Sequence, residues 1–186
     1  MKIGYALTGS FCTVQRSLIE LRQLAENNTV IPIVSENVAN TDTRFGTARE
    51  TLSLITGICG RPPIASVVDA EPLGPSQPLD ALIICPCTGN TLAKLANGIT
   101  DTSVTMAAKA HLRCDRPLII AVSSNDALSQ NLKNIATMLQ RKSVYFVPFR
   151  QDSPTSKPHS LVSDFGLLSE TLNCAMNLKQ LQPLLI

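Results

Sequence analysis

The chain has 186 residues, 44% hydrophobic, 16% charged and 4% aromatic, and 16 Lys+Arg against 14 Asp+Glu give a formal net charge of +2. That length fits one domain, and the balance excludes intrinsic disorder, which needs high net charge with low hydrophobicity. It also excludes a general nucleic-acid binder, since no Lys/Arg-rich run offers phosphates a basic stripe.

The longest apolar stretch near the middle, Ala81-Leu82-Ile83-Ile84-Cys85, falls far short of the roughly 20 residues a membrane span needs. Met1 to Leu7 carries one Lys and runs straight into Thr8-Gly9-Ser10, unlike a signal peptide, so the expected location is cytoplasmic. Cys12, Cys59, Cys85, Cys87, Cys114 and Cys174 form no C-x-x-C pair and read as free thiols in a reducing compartment. Charged residues fall below the usual share of about 25%, which points to surface hidden between subunits and hence to a homo-oligomer.

In chain order, Lys2–Leu7 reads as a strand and Thr8-Gly9-Ser10 as a turn. A helix follows with Val14, Leu18, Leu21 and Ala25 on one face, ending at Asn27-Asn28. Thr29–Val34 reads as a second strand, and Ser35–Gly46 as a polar loop. Thr47 with Glu50 forms a capping box for a helix that ends near Gly57. The connection from Gly60 to Pro78 holds Pro62, Pro63, Pro72, Pro75 and Pro78, with one short strand expected at Ile64–Val68. Asp80–Cys85 is a continuous apolar run, as in buried parallel strands. A polar turn, Pro86–Thr91, precedes a helix with Leu92, Leu95 and Ala96, closed by Gly98. Asp101 is expected to cap the next helix, through Met106 and Ala110. Pro117–Val122 is a strand, Ser123–Asp126 a turn, and Leu128, Leu132, Ile135 and Leu139 share a helix face. Ser143–Val147 is a strand, residues 148–160 an irregular loop, and 160–182 a last helix carrying Phe165, Leu168, Leu172 and Met176.

Strands alternating with helices define an α/β, doubly wound parallel sheet in one domain, residues 1–186. In such sheets a ligand sits beyond the carboxyl ends of the strands, where strand order reverses. The decisive turns therefore follow the first strand and Asp80–Cys85. In the first, Gly9 admits close approach, Ser10 and Thr13 offer hydroxyls, and the helix start behind Phe11 presents N–H groups suited to phosphate. Neither G-x-G-x-x-G nor a Walker A loop is present, and an ordinary turn capped by Ser10 remains the alternative. In the second, Thr88, Asn90 and Thr91 supply donors and acceptors, with Pro86 and Gly89 shaping the backbone. Ser35, Ser123, Ser124 and Asn125 close the ring. Neutral hydroxyls and amides suit a phosphorylated, mostly uncharged aromatic ligand such as flavin mononucleotide (FMN).

Cys85, Cys87, His111 and His159 are too few and too scattered for a zinc site, so no metal is expected. Two His so placed give no Ser-His-Asp arrangement. Lys94 reads as solvated. Arg44 is either a surface residue or a bidentate anchor for a substrate carboxylate.

Residues 85–101, Cys-Pro-Cys-Thr-Gly-Asn-Thr-Leu-Ala-Lys-Leu-Ala-Asn-Gly-Ile-Thr-Asp, together with Thr8-Gly9-Ser10, resemble the long motif of the homo-oligomeric flavin-containing Cys decarboxylase family. Ser123–Leu128, Val144–Phe149 and Gln151–Pro158 are similar to the dipicolinate-forming branch of that family, found in spore-forming bacteria. The resemblance covers nearly the whole chain. It implies a flavodoxin-like, Rossmann-like three-layer fold, trimers or multiples of trimers, and FMN near subunit contacts. By position, Gly9, Ser10 and Ser35 would meet the phosphate, Thr88, Asn90 and Thr91 would line the flavin or substrate, and Ser123 and Ser124 would approach the ring. Decarboxylating members share a His before the central strand, whereas Thr51–Leu79 contains none. Prenylating members carry an Arg where Ser123-Ser124 stand. Both departures argue against decarboxylation and prenyl transfer, and the resemblance implies oxidation of a dihydrodipicolinate-type intermediate to dipicolinate, with a separate A subunit that carries the nicotinamide (NADP) fold. A substrate with two carboxylates makes Arg44 and Lys157 its expected partners, beside Asn90. A chain that only binds and orients the A subunit, and a flavin-dependent decarboxylase, are the alternatives. No catalytic base is evident, and aromatisation supplies its own driving force.

Overall fold

Strand β1 (Lys2–Leu7) pairs in parallel with β2 (Thr29–Val34) on one side and with β3 (Ala81–Cys87) on the other. In this computed structural model, which describes residues 1–186, β3 pairs with β4 (Leu118–Ser124) and β4 with β5 (Val144–Phe146), all parallel. The order 2-1-3-4-5 is doubly wound and flavodoxin-like, and strand order reverses between β1 and β3.

All seven residues of β3 are buried, because helices cover both faces of the sheet. Successive side chains point to opposite faces, so Leu82 and Ile84 join one apolar cluster, and Ile83 and Cys85 the other. On the Ile83 side lie α1 (Phe11–Asn27), α3 (Ala48–Cys59) and α8 (Leu168–Met176), through residues such as Leu18, Ile55 and Leu172. On the Leu82 side lie α5 (Gly89–Ala96), α6 (Ser103–Leu112) and α7 (Leu132–Leu139), through residues such as Leu92, Val104 and Ile135. Thr47 and Glu50 form the predicted capping box of α3, which runs two residues beyond Gly57 and stops at Gly60, where φ is 67°.

Several sequence expectations are corrected. Ser35–Gly46 is not wholly loop: Ser35 caps a short helix α2 (Glu36–Asn40) that buries Val38, and five residues are too few to show periodicity. Ile64–Val68 is not a strand. Ile64 makes a single bridge to Ile33, Pro62 and Pro63 lack the N–H groups to extend it, and Ser66 caps a one-turn helix α4 (Val67–Ala70). Thr102, with Thr105, caps α6, while Asp101 instead binds Lys94 at 2.8 Å. Leu128 precedes α7, in a run of turns.

The largest correction lies beyond Pro148. Residues 148–160 are not an irregular loop, and no helix begins at 160. Instead β6 (Phe149–Ser153) and β7 (Lys157–Ser163) form an antiparallel hairpin, and β7 pairs with the end of β4 through Ser123 and Ser124. A single 3-10 turn, Phe165–Leu167, then leads into α8. Arg150, Gln151 and Asp152 are all exposed, so no alternation of apolar and polar residues announces the strand. Past α8, the Gln180 amide accepts the Phe146 N–H at 2.8 Å and donates to the Phe146 carbonyl at 2.7 Å. It thereby closes the free edge of β5. No helix is long and apolar enough to cross a membrane.

Candidate cofactor and substrate cavity

A cavity of about 670 Å³ opens beyond the carboxyl ends of β1, β3 and β4, beside the strand-order reversal. That size lies within the usual range for small-ligand sites, about 300–1,000 Å³. Three strand-to-helix turns and the β6–β7 hairpin build its walls.

The first wall is the start of α1. Ser10 occupies the N-cap position but makes no side-chain cap bond. Its Oγ lies 2.8 Å from Ser123 Oγ instead. Thr13 Oγ1 donates to the Ser10 carbonyl at 2.9 Å and lies 3.1 Å from Ser10 Oγ and 3.2 Å from Ser123 Oγ. By contrast α2, α3, α5 and α6 are capped by Ser35, Thr47, Thr88 and Thr102. The seventeen-residue α1 therefore presents uncapped first-turn N–H groups at the cavity, a setting that favours an anion.

The second wall is the turn into α5. Thr88 Oγ1 accepts the Thr91 N–H at 3.3 Å and donates to Thr91 Oγ1 at 3.1 Å. Asn90 is exposed and lines the cavity. Gly89 is buried, and a Cβ there would sit 2.5 Å from both Asn131 Nδ2 and Ser124 Oγ and 2.6 Å from Asp126 Oδ1. A methyl group here would displace that amide, hydroxyl and carboxylate. The third wall is the turn after β4. Ser124 Oγ donates to Asp126 Oδ1, Asn131 Nδ2 donates to Asp126 Oδ2 at 2.8 Å, and Asn134 Nδ2 donates to Asn131 Oδ1 at 2.8 Å.

Charge is mixed. Arg16, Arg44 and Lys157 face Asp126 and Asp152 across the cavity. Lys157 is bound to Asp152 at 2.6 Å, and that contact holds the ammonium above its ordinary pKa. Arg44 stacks over Phe45 with 4.8 Å to the ring centroid, and Arg16 over Phe165 with 5.3 Å. Neither guanidinium has a carboxylate within ion-pair distance.

Of the residues singled out in the sequence, Gly9, Ser10, Phe11, Arg44, Thr88, Gly89, Asn90, Ser123, Ser124 and Lys157 come together around this cavity. Ser35, Pro86 and Thr91 do not. Ser35 is spent on capping α2, Pro86 is buried within β3, and Thr91 is buried behind Thr88. Cys12, Arg16, Phe45, Asp126, Asp152 and the β7 residues Ser160–Val162 also line it. The sequence analysis proposed a ligand role for none of these; only Arg16, one turn beyond Cys12, could have been inferred, since long helical side chains lean toward the helix start.

Burial pushes the Cys85 thiol up to about 12 and Cys87 higher still, which keeps both in the neutral, unreactive form. His111, in the last turn of α6, is buried, with Nε2 2.8 Å from the Pro117 carbonyl and Nδ1 without a partner. Burial lowers its pKa. Neither His111 nor His159 lines the cavity.

A cavity walled by hydroxyls, an amide, charged side chains and an uncapped helix start, set at the strand-order reversal of a 2-1-3-4-5 parallel sheet, defines a flavodoxin-like α/β protein with its pocket at the switch point. The chain belongs to the flavoprotein family, whose model matches residues 1–167. Over all 186 residues it is 44% identical to the B subunit of dipicolinate synthase from Bacillus subtilis (strain 168), of which it covers 93%. It superposes on the crystal structure of the dipicolinate synthase B subunit from Bacillus halodurans C with a TM-score of 0.91 at 44% identity, covering 100% of this chain and 95% of that one. The FMN-dependent cysteine decarboxylase SpaF shares the fold, with a TM-score of 0.67 at 21% identity over 94% of this chain and 97% of its own.

Proposed function

We propose that this chain is the flavin-binding B subunit of a two-subunit oxidoreductase, dipicolinate synthase, that converts a dihydrodipicolinate-type intermediate to dipicolinate in the cytoplasm of a sporulating cell. The observation that carries this reading is the uncapped start of α1 at a polar, switch-point cavity, in a chain similar along its whole length to the B subunit of dipicolinate synthase. The residues suit FMN. The N–H groups of α1, with Gly9, Ser10 and Phe11, would hold the phosphate, and Thr88, Gly89, Asn90, Ser123 and Ser124 would border the ring system. Bound flavin would supply a two-electron acceptor. The chain's own task is to orient a small dicarboxylate, with Arg44 and Asn90 as polar partners and Lys157 once it leaves Asp152.

A relative named as a B subunit implies a matching A subunit, here the expected carrier of any NADP. Exposed Ile19 on α1 and Leu54 on α3 support burial between copies in a homo-oligomer, a trimer or a multiple of one.

Titration of the purified protein with FMN, followed by flavin fluorescence, tests the cofactor. Saturable quenching that is lost in Ser10→Ala and Asn90→Ala supports the reading. No binding, with or without the A subunit, moves the conclusion to a non-catalytic chain that orients its partner. One observation favours that second reading: the Ser10, Thr13 and Ser123 hydroxyls already satisfy one another. A decarboxylase is disfavoured by the absence of His from the cavity lining.

A further inference from the structure

One cation of the cavity has no role in the reading above. Arg16 lines it from α1 and is free of the contacts that occupy other arginines of the chain. Arg116 and Arg141 donate to the Leu79 and Leu95 carbonyls, and Arg150 faces Asp164 at 3.9 Å. Arg16 has no such partner: Glu20, one turn further along α1, feels its charge but is not ion-paired with it. What Arg16 does have is a platform. Its guanidinium lies 5.3 Å from the ring centroid of Phe165, a side chain that is 1% exposed and so fixed by the core. Stacking covers the face of a guanidinium and leaves its in-plane N–H donors free. The group is thus held in place, charged and without an acceptor.

Its position also separates it from the expected phosphate site. Gly9 faces α2, since a Cβ there would lie 3.5 Å from Asn37 Cβ. Arg16 packs instead on the turn that follows β7, so its side of α1 borders the β6–β7 hairpin. Because a long helical side chain leans toward the helix start, the guanidinium is carried to the cavity rather than away from it. Arg44, the other guanidinium without a carboxylate, comes from the loop between α2 and α3. The cavity therefore offers an anion three distinct settings: the α1 N–H groups, Arg44 and Arg16.

We propose that Arg16 is a substrate-anchoring residue. Its free in-plane fork takes one carboxylate of the small dicarboxylate, a geometry that guanidinium and carboxylate share, and leaves the other carboxylate to the partners already named. The inference rests on the dicarboxylate reading above. It makes Arg16 a determinant of specificity for a diacid over a monoacid, with Phe165 as the positioning residue that holds the guanidinium.

Calorimetric titration of the full-length protein, in the presence of FMN, with dipicolinate and with picolinate tests it. The unmodified protein should bind the diacid about tenfold more tightly, the scale of one charge-assisted contact. Arg16→Gln should bring the two acids to nearly equal affinity. Arg16→Lys, which keeps the charge without the planar fork, should recover only part of the preference. Flavin quenching by FMN binding should be unchanged in both variants. If Arg16 only packs against Phe165, Arg16→Gln weakens both acids together and the ratio survives, which overturns the anchor. Equal affinities in the unmodified protein overturn it as well. If Arg16→Gln instead erases a preference for FMN over riboflavin, Arg16 serves the phosphate and the anchor is wrong. Failure of the unmodified protein to bind either acid overturns the dicarboxylate reading, and this inference with it.

Discussion

Thr8 and Thr88 lie 80 residues apart in sequence, yet the Thr88 N–H donates to Thr8 Oγ1 at 2.9 Å, while the same hydroxyl donates to the Pro86 carbonyl at 2.7 Å. The Thr8 N–H reaches that carbonyl as well, at 3.2 Å. One buried side chain thus ties the turn after β1 to the turn after β3, across the point where strand order reverses. The cavity's first two walls are held at a fixed separation by a bond that the parallel β1–β3 ladder alone does not supply.

Replacing Thr8 by Val keeps the volume and removes the hydroxyl. The Thr88 N–H then loses its partner, and an unsatisfied buried donor costs about 1–3 kcal/mol. Chemical denaturation should show a lower midpoint with an unchanged slope. Thr8→Ser should recover most of the loss, which separates the hydrogen bonds from the packing of the methyl group.

Gly89 and Gly57 make opposite predictions for the same substitution. At Gly89 a Cβ meets Asn131, Ser124 and Asp126 at 2.6 Å or less, so Gly89→Ala should destabilise the fold and perturb ligand binding together. Gly57 lies inside α3 with nothing within 4 Å of its would-be Cβ. Gly57→Ala should stabilise by about 0.5–1 kcal/mol, the helical preference for alanine. Thermal melts of the two variants against the parent decide both.

His111 predicts how stability follows pH. Burial disfavours its charged form, so its folded pKa lies below the unfolded value of about 6.5. The unfolded chain therefore takes up a proton that the folded chain refuses. Its contribution is fully present above about pH 6.5 and is lost as pH falls from there toward the depressed folded value. Urea midpoints should decline from neutral pH toward pH 5. In His111→Gln, which can keep a donor toward the Pro117 carbonyl, that part of the decline should vanish.

What was legible in the sequence depended on how many residues carried each signal. The apolar run that became β3 announced a strand covered on both faces, and with the β/α alternation it fixed the switch point. The polar turns at Gly9–Thr13 and Thr88–Asn90 stood out because each interrupts an apolar pattern. Ser35 looked identical to Ser10 by position, but its hydroxyl is consumed as a helix cap while that of Ser10 is not, and no local pattern distinguishes the two. The hairpin was hidden because its outward residues are charged and its turn is polar. With it were hidden Asp152 and the pairing that brings Leu161 and Val162 against Ser124 and Ser123. Asp126 was hidden for another reason: its role arises from Gly89, Ser124 and Asn131 converging from separate segments.

The hairpin that the sequence concealed yields the last prediction. Lys157 stands at the cavity, but its ammonium is held by Asp152 at 2.6 Å, and both side chains are substantially exposed. An exposed pair of this kind is worth little to stability, so Asp152→Asn should leave the melting midpoint nearly unchanged. It removes a negative charge from the cavity and releases Lys157 toward an incoming carboxylate. Affinity for a dicarboxylate should then rise about two- to fivefold at low ionic strength, the scale of one exposed charge contact. The gain should shrink as salt is raised toward physiological strength, where the screening length is about 8 Å. Lys157→Gln should shift affinity the other way with the same salt dependence. If Asp152→Asn instead weakens binding, Asp152 itself holds Lys157 in its working position, and the pair acts as a unit.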